Sequence, residues 1–406
     1  MRLKTKGEGN MKISKKISVI TLAALFSLLF AMTVFAAPAK VTEIKQTKAT
    51  DSSVQFEWSP SEPDARYYVQ YSFDNVSWSS EASTGKTTSQ YYGSLKAGKT
   101  YYVRVRARVN NQYSDYTTAQ VATAPDKVTN LKQISATTSS ATFSWSASEG
   151  ATSYEVVRYV NSTEYIIGTT TSTTYTVNDF KNKLENNTSI GVRPIRSIAG
   201  YDAKENNSFY SLGYVACYNI NLVPEKIQGV AVTNYYTSLK EVAFGFTQPE
   251  YHDGYVYELY TYKNKKVSSG NITSTSYNLL KNIKNQFYKL RVRAYVTINN
   301  KNYYGAWSDY TVFALQPKVG LKKSGKKLKI TWKKVSGAKN YTVYMSTSKT
   351  GGYKKLTTTK KRAYTAKKFK KKKLNKKKTY YVYVVANRKE GKKTYKSKAV
   401  NCYYLY

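Results

Sequence analysis

The stretch VQFEWSPSEPDARYYVQY, residues 54–71, decides the fold. Val54, Phe56 and Trp58 alternate with Gln55 and Glu57, and after a turn containing two prolines Tyr67, Val69 and Tyr71 alternate with Tyr68 and Gln70. Residues two apart in an extended chain share a face, so the stretch reads as two half-buried strands. Trp58 and Tyr67 stand nine residues apart, and the interval returns at Trp145 and Tyr154, Phe246 and Tyr255, and Trp332 and Tyr341. The segments around these anchors, ATFSW with YEVVR, VAFGF with YVYEL and LKITW with YTVYM, keep the same period of two.

A longer period encloses these pairs. PAKV at Pro38, PDKV at Pro125, PEKI at Pro224 and PKV at Pro317 are spaced by 87, 99 and 93 residues. Repeats of that length are whole domains in an array rather than the small units of a solenoid. Each repeat also carries a later strand led by a leucine or isoleucine. Leu95 precedes Tyr101 by six in LKAGKTYYVRVRA, Leu374 precedes Tyr380 by six in LNKKKTYYVYVVA, and Ile283 precedes Tyr288 by five before FYKLRVRA; repeat two has Ile190 in the tyrosine's place.

A tryptophan strand, a Tyr-x-Val strand and a Leu-x5-Tyr-x-Val-x-Val strand with its tyrosine corner resemble the fibronectin type III domain. The resemblance implies an all-β chain of four tandem immunoglobulin-like β-sandwich domains, each packing two antiparallel sheets about alternating inward residues. The expected divisions are a signal peptide at 1–36 and sandwiches at 37–124, 125–222, 223–316 and 317–406. The second is divergent at Ile190, which lacks the corner hydroxyl, and the third has Phe246 for tryptophan. SGAKNYTVYMSTSKTGGYKKL in the fourth is similar to lysine-rich modules at the C-termini of secreted proteins of Gram-positive anaerobes.

The N-terminus fits export. Lys12, Lys15 and Lys16 precede the apolar run Ile17–Phe35, and Val34-Phe35-Ala36 offers a small-residue cleavage site, the pattern of a secretory leader. Translation from Met1 or Met11 gives the same mature chain. The alternative is an uncleaved membrane anchor over 17–35, since spans need about 20 apolar residues; Ser18, Thr21, Ser27 and Thr33 interrupt the run. The two cysteines, Cys217 and Cys402, are too few for a disulfide-stapled scaffold, so stability must come from burial.

Charge is distributed unevenly. Of the formal net charge of +41, residues 317–406 carry +29, from 28 lysines and two arginines against the single acid Glu390, whereas 37–124, 125–222 and 223–316 carry +2, 0 and +5. A lysine-rich codon background would raise all four repeats, and solubility needs a net charge of only about 2–8 on a small domain. Strand alternation in KKLKITWKK turns Leu328, Ile330 and Trp332 inward and leaves Lys327, Lys329 and Lys333 outside. In KKRAYTAKKFKKKKLNKKKTYYVYV, residues 360–384, Tyr364, Phe369, Leu374 and Tyr380 recur as core anchors, resembling Tyr175, Phe180, Leu184 and Ile190 of repeat two. Lys360, Lys361, Lys367, Lys368, Lys370, Lys371, Lys372, Lys373, Lys376, Lys377 and Lys378 are then its surface.

Lysine is a flexible point charge without the guanidinium fork, suited to a diffuse run of phosphates or carboxylates. The expected partner is an anionic cell-envelope polymer such as teichoic acid, held outside a Gram-positive cell; no Leu-Pro-x-Thr-Gly sorting motif occurs, so attachment would be non-covalent. Repeats one to three would be spacers or would meet glycans or a surface protein. The alternatives are a carbohydrate-binding or adhesion protein recognising host or dietary glycans, and an extracellular DNA-binding matrix protein.

Other candidates are weaker. Arg104, Arg106 and Arg108 in repeat one, matched by Lys289, Arg291 and Arg293 in repeat three, read as solvated strand faces. Outward Tyr68, Tyr102 and Tyr381 offer apolar faces for sugar rings, but tyrosine also favours strands. The only histidine, His252, leaves no second imidazole for a metal centre and no spare base for a serine nucleophile. Glu57, Glu62 and Asp64 share one strand and turn with no sign of a cleft. No catalytic residue, metal ligand, cofactor or small-molecule substrate is expected.

Overall fold

The computed structural model describes residues 36–161, 163–180, 188–205 and 216–405. The leader, its membrane-anchor alternative and Leu184 lie outside the described residues. The described elements are all strands. In repeat one, Ile44–Ala49, Val54–Trp58 and Ser89–Tyr92 make a three-stranded antiparallel sheet. Facing it, Ala82–Gly85, Arg66–Ser72 and Thr100–Val109 run in order, the last also pairing with Gln112–Tyr113 and Thr117–Ala122. Repeats three and four repeat this topology strand for strand. Their central ladders join Gly254–Thr261 to Tyr288–Ile298 and Asn340–Ser346 to Tyr380–Glu390. In repeat two, Thr129–Ala136, Ala141–Ser146 and Thr174–Val177 form the three-stranded sheet, and Ser189–Ile198 pairs with both Tyr201–Ala203 and Ala216–Asn219. A three-stranded sheet against a five-stranded one is the fibronectin type III-like sandwich that the sequence pattern implies.

The nine-residue interval has a physical cause. In repeat one Trp58 and Tyr67 pack edge to face at 5.6 Å, and Trp332 and Tyr341 meet at 5.5 Å in repeat four. The tyrosine hydroxyl then accepts a backbone N–H from the connecting turn: Ser61 to Tyr67, Ser148 to Tyr154 and Val335 to Tyr341, at 3.0, 3.2 and 3.0 Å. One side chain thus fills the core and pins the turn. In repeat three, where Phe246 takes the tryptophan position, the Tyr255 hydroxyl is buried without a partner and the ring of His252 lies 4.7 Å away.

The corner tyrosines behave similarly. The hydroxyls of Tyr101, Tyr288 and Tyr380 accept the N–H groups of Lys96, Lys284 and Asn375 at 2.7, 3.0 and 3.0 Å. Ile190 makes no such bond but is fully buried. Below the corners, Val103 and Val105, Leu290 and Val292, and Val382 and Val384 are buried completely. Each buried aromatic ring removes about 150–250 Å² from water, worth on the order of 5 kcal/mol by area at about 25 cal/mol per Å² before conformational entropy is subtracted.

Neighbouring repeats are joined by built contacts. Where repeat one meets repeat two, Gly98 (φ +63°) and Gly150 (φ +76°) touch backbone to backbone, leaving no room for a Cβ on either. Arg196 donates to Thr100 Oγ1 (2.9 Å) and to the Gly150 carbonyl (3.0 Å), and Lys99 pairs with Glu149 at 2.5 Å. Between repeats three and four, Phe287 leaves its own strand pattern to enter the core of repeat four, anchored by Phe287 N–H to the Ser336 carbonyl (3.0 Å) and Ser336 N–H to the Asn285 carbonyl (2.9 Å). Gly337 lies flat on Tyr262, where a Cβ would come within 2.8 Å of the ring.

Gly98→Ala is therefore expected to destabilise the first two repeats by more than Gly200→Ala. Gly200 has φ +80° with open space around it, so alanine there costs only the left-handed strain of about 1–2 kcal/mol. Denaturant unfolding of both variants checks this; equal costs would mean the junction yields.

Candidate polyanion-binding surface

All fourteen lysines expected at the surface of repeat four are exposed. Val319–Ser324, Lys327–Trp332 and Ala363–Ala366 form its three-stranded sheet, in which Lys329 stands opposite Lys322 and Thr365. Lys327 and Lys329 are outside, while Leu328, Ile330 and Trp332 are at most 5% exposed. The core anchors Phe369, Leu374 and Tyr380 are buried, and Tyr364 packs against the same core.

Between the fifth strand and the corner the chain makes a hairpin of its own. Lys368 pairs with Lys373 and Phe369 with Lys372, and Lys370 and Lys371 turn the chain with φ of 49° and 67°. Two successive left-handed residues make the tight turn that matches strand twist. Phe369 holds the hairpin down, its ring 6.2 Å from that of Tyr380, and the Leu374 N–H donates to the Lys367 carbonyl at 3.2 Å. The hairpin presents Lys368 and Lys370 to Lys373, and the next turn presents Lys376 to Lys378.

These cations lack counter-charge in their own repeat. Glu390, its sole acid, is taken by Arg388 and lies 3.5 Å from Lys289 of repeat three. Burial would push the Glu390 carboxyl up, but the hydrogen bond from Arg388 holds it below the ordinary range.

The arginine ladders differ from expectation: they are not solvated faces but half-buried stacks. In repeat one Arg104 lies 4.1 Å from both the Trp78 and Tyr116 rings and donates twice to Gln70 Oε1, at 2.9 and 2.7 Å. Arg106 sits 3.9 Å over Tyr113 and forks onto Glu81 with two bonds of 2.7 Å. Arg108 bonds the Tyr68 hydroxyl at 3.1 Å, so Tyr68 is engaged within the protein. In repeat three Arg291 and Arg293 each lie 4.4 Å from Trp307, and Arg291 also donates to Glu258. The missed signal is the phrase YSDYT at 113–117 and WSDYT at 307–311. Its serine hydroxyl accepts a strand N–H, Ala107 to Ser114 at 2.9 Å and Val292 to Ser308 at 3.0 Å, which sets the flanking rings over the arginines. A planar guanidinium between aromatic faces gains cation–π attraction of about 0.5–2 kcal/mol.

The remaining candidates are engaged structurally. Asp253 accepts the Thr297 N–H at 2.6 Å, and His252 Nε2 meets the Gln248 amide at 2.8 Å. Glu62 accepts the Ala39 N–H at 3.0 Å and Asp64 pairs with Lys86 at 2.8 Å, beside an open recess of about 300 Å³. Cys402 is a free thiol. Among the described residues no group of three or more His, Cys, Asp or Glu side chains is arranged to hold a metal ion, and no helix is long and apolar enough to cross a membrane.

No family model and no curated protein matches the chain. Among solved structures, it is similar to the FN1–FN3 domains of chicken CNTN1, at 16% identity and a TM-score of 0.29, covering 68% of this chain and 98% of that one. It is also similar to a two-domain fibronectin type III segment of chicken tenascin, at 18% identity and a TM-score of 0.22, covering 45% and 100%. The fold assignment rests on the strand orders above: the chain is an all-β tandem array of fibronectin type III-like sandwiches.

Glu258 gives a pH test of the stacked face. Burial raises its carboxyl, but hydrogen bonds from Lys266, Tyr260 and Arg291 outweigh it and bring the pKa from the ordinary 4.5 to about 2. Because the folded value is depressed, the stabilisation is complete above 4.5 and is lost as pH falls toward 2. Glu258→Gln should lower the melting temperature at pH 7 and flatten the decline between pH 4.5 and 2. An unchanged acid profile in thermal melts would contradict the pairing.

Proposed function

We propose that this chain is a non-catalytic, exported binding protein whose fourth repeat holds it electrostatically to an anionic envelope polymer, teichoic acid or one of like charge, while repeats one to three act as spacers or present further binding faces. One observation carries the reading: fourteen exposed lysines share a repeat whose only carboxylate is already bonded to an arginine. Repeats one and three set much of their positive charge against internal carboxylates and rings; repeat four does not. Compact folding of a like-charged surface is opposed by self-repulsion, and an external polyanion relieves it. The lysines lie in short clusters on a hairpin, two turns and a strand face, an arrangement suited to a flexible polymer with repeating charges rather than to one small anion.

Association by counterion release weakens linearly in log–log terms as salt rises. Binding of the full chain to purified teichoic acid should follow such a line. Replacing Lys370, Lys371, Lys372 and Lys373 with glutamine should reduce the slope by up to about 3–4, at roughly 0.7–0.9 per phosphate contact. A salt-independent affinity, or an unchanged slope in the glutamine variant, would refute the reading.

A further inference from the structure

With the corner tyrosines Tyr101, Tyr288 and Tyr380 in register, Arg104 and Arg291 fall opposite Tyr383, and Arg106 and Arg293 opposite Val385. The sheet face closed by stacked arginines in repeats one and three therefore has no arginine at these positions in repeat four, and its rings are tyrosines. Tyr344 and Tyr383 are cross-strand partners with rings stacked at 4.8 Å and 21°. Tyr353 also meets Tyr383 at 4.8 Å. On the next strand Tyr404, 46% exposed, pairs with Tyr381 at 5.5 Å between rings. Neither arginine of the repeat covers these rings: Arg388 lies over Tyr262 of repeat three and Arg362 stands in the turn before Ala363–Ala366.

The surroundings are polar and cationic. The hydroxyls of Thr342 and Thr358 lie 3.2 Å apart, and the Asn387 amide donates to Asn340 Oδ1 (2.7 Å) and Thr342 Oγ1 (2.9 Å). Lys355 is the cross-strand neighbour of Tyr344 and is exposed beside Lys354. Burial pushes the phenols of Tyr353 and Tyr383 above the ordinary 10.0; Tyr353 gives its hydroxyl proton to the Lys349 carbonyl at 2.9 Å, which leaves its oxygen as an acceptor.

We propose that this face binds the sugar rings of an acidic glycan, and so narrows the polyanion reading, on which it rests, to a polymer with pyranose units. The apolar side of a pyranose lies on the tyrosines, its hydroxyls meet the exposed Thr358 and the phenol oxygens, and its acidic substituents meet Lys354 and Lys355. A single-stranded nucleic acid fits less well. The face carries lysine point charges and no arginine, whose planar fork and stacking are what base and phosphate recognition favour.

The test uses the full chain and the variant Tyr344→Leu with Tyr404→Leu, which keeps apolar bulk but removes the rings; circular dichroism confirms that it folds. Binding is measured at fixed salt to hyaluronate oligosaccharides, to ring-free polyphosphate and to oligothymidylate. The proposal expects hyaluronate binding to weaken tenfold or more in the variant while polyphosphate binding stays within twofold. If hyaluronate binds both proteins equally and polyphosphate also binds, the tyrosine face is overturned while the polyanion reading stands. If the loss falls on oligothymidylate instead, the ligand is a nucleic acid and the glycan assignment is wrong. If no polymer binds, the polyanion reading fails and the glycan proposal fails with it.

Discussion

Thirty cations and one carboxylate have to be carried on the surface of the fourth repeat, and the core beneath must hold against their repulsion. Burial does this, reinforced by two tyrosines whose hydroxyls tie turns to the core: Tyr341 to the Val335 N–H and Tyr380 to the Asn375 N–H. Phe287 from repeat three extends the same core. Because cohesion comes from inward side chains and two turn bonds, the outward positions are free to change, and here they have become lysine.

The repeats differ in how they treat charge more than in how they fold. In repeat one Arg104, Arg106 and Arg108 are consumed internally by Gln70, Glu81, Tyr68 and the rings of Trp78, Tyr113 and Tyr116. In repeat three Glu258 gathers Lys266, Tyr260 and Arg291. These faces meet most of their charge within the protein. Repeat four puts Tyr383 and Val385 where the arginines stood and leaves its lysines facing solvent, which is the physical basis for assigning it the contact with an outside polymer.

The sandwich was legible because its determinants are local: alternation, and a nine-residue interval set by how far a tyrosine hydroxyl reaches back to its turn. The core anchors of residues 360–384 were legible for the same reason. The arginine stacks were not, because the rings over Arg104 and Arg106 arrive from Trp78, Tyr113 and Tyr116, on segments whose register with the arginines only the folded sheet supplies. Nor was the Lys368–Lys373 hairpin, since lysines at φ of 49° and 67° carry none of the Asn-Gly signature of such turns. Phe287 was hidden by reading as one more residue of an alternating strand, when its side chain serves the neighbouring core.

The central claim is that the lysine charge of repeat four is uncompensated and is stabilised by an external polyanion. Amide hydrogen exchange on the full chain at low ionic strength, with and without polyphosphate, tests it most directly, since a ligand that binds only the folded state raises its stability. The account predicts slower exchange at the buried strand amides of Val382 and Val384 when polyphosphate is present, with Val103 and Val105 of repeat one unchanged. Equal exchange at Val382 and Val384 with and without the polymer would contradict it.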